Sequence, residues 1–134
     1  MIIEIITSEL DFHLIEKVRE LRIKSNLSQV TLSQKIGVSE GHIGNIENHK
    51  LRTKLNIRML ARIAKGLELK SYMDFFPDKI YSNDLVKIKI ELLESYRKRG
   101  GDLNEKINRF KSISIIPLSE EEIAAYDKYK QPKK

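Results

Sequence analysis

The chain contains no cysteine. Disulfides, thiol catalysis and cysteine-based zinc sites are therefore excluded. Its three histidines, His13, His42 and His49, lack partners at a spacing that would close a metal site, so neither a metal nor a cofactor is expected. No apolar run approaches the ~20 residues of a membrane span. The opening Met1 to Ile6 stretch is followed at once by Glu9 and Asp11, with Glu4 inside it, which does not fit a signal peptide. A cytoplasmic protein without a membrane partner is the resulting expectation. Glycine is sparse, and the Gly100-Gly101 pair is too short a signal for a phosphate-cradling loop. With no nucleophile and base set at a recognisable spacing, no enzyme is expected either.

What is present is positive charge. Lys and Arg number 25 against 19 Asp and Glu, a net charge of +6, and the pI is about 9.5. A value above ~9 is the electrostatic footprint of nucleic-acid binding. The 40% hydrophobic and 33% charged balance is that of a foldable chain.

The pattern along the chain changes period several times. Ile2 to Ile6 is β-branched and reads as a strand. From Asp11, a candidate N-cap, Leu14, Val18 and Leu21 recur at helical spacing until Ser25-Asn26. Ser28 caps a helix from Gln29 to Ile36 with Leu32, Ser33 and Ile36 inward, and Gly37 closes it as a left-handed C-cap. Ser39 is the expected cap of a helix over residues 40–47, with Ile43 and Ile46 inward. Asn56 caps another that ends near Gly66, with Ile57, Leu60, Ala61, Ala64 and Leu67 inward. Ser71 starts a last short turn, which Pro77 stops. Beyond it, Val86 to Leu92 alternates strictly, Ser112 to Ile116 is a second β-like run, and Ser119-Glu120-Glu121-Glu122 opens a helix with acids at its positive end. A helix is the rival reading for Leu85 to Tyr96, with Asp84 as cap and Gly100 as stop.

The stretch from Leu27 to Glu47 is thus two short helices around a tight turn, too small to bury a core by themselves. The second carries apolar residues inward and the small polar set Glu40, Gly41, His42, Gly44, Asn45 and Asn48 outward. Such a helix is shaped to enter a groove. Between Asn48 and Gly66 lie six basic residues and no acid: Lys50, Arg52, Lys54, Arg58, Arg62 and Lys65. Arg62 and Lys65 read as a solvated face, as do His13 and His49. Glu47 points toward the domain's own cations and reads as a fold-holding residue paired with Arg19 or Arg22.

Leu27-Ser28-Gln29, Leu32 to Ser39, Ile46-Glu47-Asn48 and Leu60 to Leu67, all in register, resemble the phage-repressor and Cro-type helix-turn-helix domain of XRE-like regulators over about residues 14–76. The resemblance implies a mainly α, five-helix, lambda-repressor-like domain over residues 10–77. Residues 78–134, which the resemblance does not cover, read as an extension, a β-hairpin plus short helix, for dimerisation or partner binding. The resemblance also implies a sequence-specific regulator of transcription, a repressor that binds double-stranded DNA as a homodimer through helix 40–47 in the major groove. Bases would be read by Glu40, Gly41, His42 and Asn45. The DNA backbone would be held by Ser28, Gln29, Asn48, Lys50, Arg52 and Lys54. Two alternatives stay open: an antitoxin whose C-terminal part binds a toxin, and a protein-interaction module that has lost DNA binding. Ser33 departs from the usual alanine, a small-for-small exchange. Gly41 and Gly44 also stand out, each costing a helix about 1 kcal/mol. They fit either a close approach to DNA or a helix that firms up on binding.

Overall fold

The computed structural model describes residues 2–49, 55–92 and 110–130. The chain enters as a strand, β1 (Ile2–Ser8), and passes without a loop into α1 (Glu9–Lys24). Asp11 is not the cap of α1, as the sequence suggested. Ser8, the last strand residue, accepts the Asp11 backbone N–H on its hydroxyl at 3.3 Å. The reason is geometric: extended φ/ψ at Ser8 serves both as the end of a ladder and as an N-cap conformation.

α2 (Gln29–Ile36), α3 (His42–Glu47) and α4 (Ile57–Gly66) follow, then a 3₁₀ turn over Tyr72–Phe75. Three of their caps are those read from the sequence. The hydroxyl of Ser28 accepts from Thr31 N–H at 2.9 Å, Asn56 Oδ1 accepts from Met59 N–H at 2.7 Å, and Ser71 accepts from Met73 N–H at 3.0 Å. Gly37 sits at φ +76°, the left-handed cap that glycine adopts without a Cβ clash.

One core fills the space among these helices. Val18, Leu32, Ile43, Ile46, Leu60, Ile63, Leu67 and Phe75 are all buried. Ile57, expected inward, is 87% exposed. It is the first residue of α4 and lies beyond the end of the packed stripe. α3 is shorter than the expected 40–47, because Glu40 and Gly41 belong to the turn before it.

The remainder of the chain builds a sheet. β2 (Leu85–Leu92) lies between β1 and β3 (Phe110–Pro117), and both pairings are antiparallel. Leu85 to Leu92 is therefore strand and not helix. Residues 93–96 of that rival reading, like Gly100-Gly101, lie outside the described residues. Register places Ile3 opposite Ile90 and Ile5 opposite Ile88. One face of the sheet thus presents Ile3, Ile5, Val86, Ile88 and Ile90 to Phe12 of α1, forming a second core. The sheet draws on both ends of the chain, and α1 belongs to both cores, Phe12 in one and Val18 in the other. α5 (Glu120–Lys130) follows β3, capped by a reciprocal pair: Ser119 hydroxyl accepts from Glu122 N–H, and the Glu122 carboxylate accepts from Ser119 N–H. No described helix is long and apolar enough to cross a membrane.

Candidate nucleic-acid interface

α3 is a six-residue helix with glycine at its N-cap and no side-chain cap of its own. The Ser39 carbonyl accepts from His42 N–H at 3.0 Å, but the next, Ile43 N–H, would be left an orphan inside the domain. Ser33 of α2 supplies what is missing. Its fully buried hydroxyl accepts from Ile43 N–H at 3.2 Å while donating to the Gln29 carbonyl at 2.9 Å. Ile43 is the second helical residue, the position a capping side chain serves. α2 therefore caps α3 across the turn. By sequence alone Ser33 is a small-for-small alanine equivalent, which hides this role. The available signal was the departure itself, a hydroxyl at a buried helix contact.

The other end of α3 is clamped by charge. Glu47 is 1% exposed and meets Arg22, 2% exposed, as a two-pronged pair: Nε to Oε2 at 2.7 Å and Nη2 to Oε1 at 2.8 Å. The third edge of the guanidinium donates to the Leu27 carbonyl at 2.8 Å. Arg19 adds an ion pair to Oε1 at 3.4 Å and a hydrogen bond to the Glu47 carbonyl at 2.5 Å. Such bidentate pairs combine strength with directional control. The expected fold-holding role of Glu47 is thus borne out, with Arg22 and Arg19 both serving it.

Gln29 joins the same carboxylate, donating from Nε2 to Oε1 at 3.1 Å. Its side chain crosses α3 at Gly44, where an added Cβ would stand 3.0 Å from Gln29 Oε1. Gly44 is therefore explained inside the fold. Gly41 is not: its φ is −86°, and nothing lies within 4 Å of the position its Cβ would take.

The outward face is as expected in direction. Glu40, Gly41, Asn45 and Asn48 are exposed, and His42 is half-buried. Gln34 donates to the Glu40 carboxylate at 3.3 Å, across the turn. Ser28 is engaged locally, since its hydroxyl also donates to Thr31 Oγ1 at 2.7 Å. Lys50, Arg52 and Lys54 lie outside the described residues.

Two expectations need correction. His49 is not solvated: its side chain is 4% exposed, its Nε2 lies 2.8 Å from the Glu16 carboxylate, and its ring stacks on Phe12 with centroids 4.8 Å apart. His13 is half-buried between Phe12 and Tyr81, 4.8 Å from the latter ring. An imidazole buries readily once its faces meet rings and a nitrogen finds a carboxylate. Neither Glu16 nor Phe12 is near His49 in sequence, so local pattern gave no hint. Arg62 is likewise no mere solvated cation. Its guanidinium donates to the Ile36 carbonyl and, at 3.4 Å, to that of Gly37, tying α4 to the turn between α2 and α3.

Glu16, which also pairs with Arg19, has its carboxyl held below the ordinary 4.5. Burial, the largest single effect, pushes it up; the His49 hydrogen bond, the charges of Arg19 and His49 and the Arg19 hydrogen bond together outweigh it. A carboxylate depressed by folding contributes stability that is complete above its unfolded value and is lost as pH falls through the lower folded value. The stability gap between the wild type and Glu16→Gln, measured by urea denaturation, is therefore expected to narrow as pH falls from above 4.5 through the lower folded value. A gap that widens on acidification would contradict the assignment.

A scan against family models matches residues 18–72 to the helix-turn-helix family. Comparisons with curated proteins and with solved structures gave no match. Among the described residues no cluster of His, Cys, Asp and Glu could hold a metal ion. With a capped and clamped α3 held on α2, and α4 pinned to their turn, residues 18–72 have the build of the helix-turn-helix family whose model they match, which supports a DNA-binding transcriptional regulator of the XRE type.

Proposed function

We propose that this protein represses transcription by binding a specific double-stranded DNA site as a homodimer, with α3 in the major groove. One observation carries the reading: α3 buries Ile43, Ile46 and Glu47 completely while leaving a small, uncharged edge of Gly41, Asn45 and Asn48 in solvent. A helix fixed so firmly from behind and so lightly furnished in front has the shape of a groove reader.

Asn45 is the principal base contact in this reading, able to pair with an adenine edge through two hydrogen bonds. Glu40, oriented by Gln34, accepts from a cytosine amino group. His42 lies beside it, and Gly41 lets the backbone approach the bases, which is why a glycine with open space around it stands there. Ser28, Gln29, Asn48, Lys50, Arg52 and Lys54 hold phosphates. Gln29 is tied to Glu47, so its contact with the DNA backbone would be set by the same clamp that orients α3. Dimerisation falls to the sheet and α5, where Ile2, Ile6, Ile115 and Ile116 remain exposed.

The test combines two substitutions. Asn45→Ala should lower affinity for the preferred site roughly tenfold or more and relax the preference at one base pair. Arg52→Ala should weaken all sequences alike and reduce the slope of log affinity against log salt by about one. Fluorescence anisotropy over a salt series distinguishes the two patterns. Unchanged binding in both variants would refute the docking, and salt-insensitive failure of the wild type to bind any DNA would favour an interaction module.

A further inference from the structure

α4 and the residues after it flank an open cleft of 720 Å³, whose walls include Arg58, Ala61, Lys65, Lys70 and Tyr72. Among the described residues no carboxylate lines it. Arg62 also borders the cleft but is committed to the Ile36 and Gly37 carbonyls. Arg58 and Lys65 are exposed and form no ion pair among the described residues. On α4, Arg58, Ala61 and Lys65 form one stripe, with a cation at each end and a methyl group between. The two cations are seven residues apart, about 10.5 Å along the axis.

α5 carries the opposite stripe at the same spacing. Glu120, Ala124 and Asp127 share one face, all three exposed, with the carboxylates seven residues apart. Ile123 and Tyr126, the half-buried residues of α5, lie about 70° and about 130° round the helix from its midline. Two helices so patterned can approach closely at their alanines and place an ion pair at either end.

We propose that α5 of a second copy of this chain docks on α4 along that cleft, Glu120 and Asp127 facing Arg58 and Lys65. It deepens, and rests on, the homodimer reading above. Reciprocal exchange of α5 between two copies is self-complementary and closes as a twofold dimer. It also supplies what two copies of net charge +6 need when they associate, a contact of opposite signs.

Sedimentation equilibrium of the full chain without DNA tests this with three charge-reversed variants, each checked for folding by circular dichroism. Arg58→Glu with Lys65→Glu should weaken the dimer about tenfold or more. Each such reversal removes two positive charges, so the pair lowers the net charge from +6 to +2. Reduced overall repulsion would by itself tighten association, so weakening identifies the specific contact. Glu120→Lys with Asp127→Lys should weaken the dimer as well, and the fourfold variant should regain it. A wild type that stays monomeric overturns both this interface and the homodimer reading. A dimer unaffected or tightened by Arg58→Glu with Lys65→Glu overturns the interface alone, as does a folded fourfold variant that fails to recover.

Discussion

Glu47→Ala is expected to destabilise the fold by about 3–5 kcal/mol, a large part of the ~5–15 kcal/mol that holds a domain of ordinary size. The substitution leaves the Arg22 guanidinium buried with its Leu27 carbonyl but without its counter-charge. Removing one partner of a buried pair costs far more than the pair itself contributes, because the survivor keeps its desolvation penalty. Arg22→Ala should be of similar size for the mirrored reason. The informative variant is the double one, Arg22→Met with Glu47→Leu. It removes both charges and fills the space, and should lose less than either single change. Urea denaturation of the four proteins measures these losses, and adding Arg22→Ala with Glu47→Ala closes the cycle that gives the coupling. A loss below about 1 kcal/mol for Glu47→Ala would mean the pair is as dispensable as a surface ion pair, contrary to its burial. Consequences for binding follow from position. Glu47 ends α3 and takes the Gln29 amide, so its loss frees both α3 and the start of α2.

That pairing was legible in the sequence because it depends on few things. A carboxylate at the end of an inward-facing stripe, with Arg19 and Arg22 on the preceding amphipathic helix, leaves little choice of partner. The caps at Ser28, Asn56 and Ser71, the left-handed Gly37 and the alternating β2 were legible for the same reason: each rests on residues within a turn of one another. The illegible features are those in which distant segments decide. Phe12 and Glu16 turn His49 inward from 37 and 33 residues away, and two carbonyls from another helix draw in Arg62. β1 feeding α1 without a break moved the cap from Asp11 to Ser8, since nothing in a helical period marks where a strand ends. Glu40 and Gly41 were read into α3, but two glycines in so short a segment leave the helix only six residues.

Ser33→Ala should cost about 1–3 kcal/mol although alanine is the residue that the resemblance would favour there. Volume is not at issue, for the site loses one oxygen from a fully buried position. What changes is the account of polar groups. Ile43 N–H, now accepted at 3.2 Å, would be left inside the core without a partner, and α3 has no cap of its own to replace it. A chain with Ser, Asn or Asp at the N-cap could lose the cross-helix hydroxyl cheaply; this one has Gly41. The prediction is therefore conditional and can be checked by restoring what is absent. Gly41→Ser, introduced where nothing lies within 4 Å, offers a hydroxyl at the N-cap once its backbone moves from the helical φ −86°, ψ −3° to the extended form that a capping side chain uses. In the Ser33→Ala background it should recover a sizeable part of the lost stability, and in the wild type it should add little. Amide hydrogen exchange at Ile43 reports the same event locally: faster in Ser33→Ala, slowed again in the double variant. Rescue of stability with DNA affinity still depressed would locate the role of Gly41 in the close approach to bases, whereas rescue of both would make it only a weak cap. Equal stability of Ser33→Ala and wild type would show that Ile43 N–H is satisfied some other way and that α2 does not cap α3.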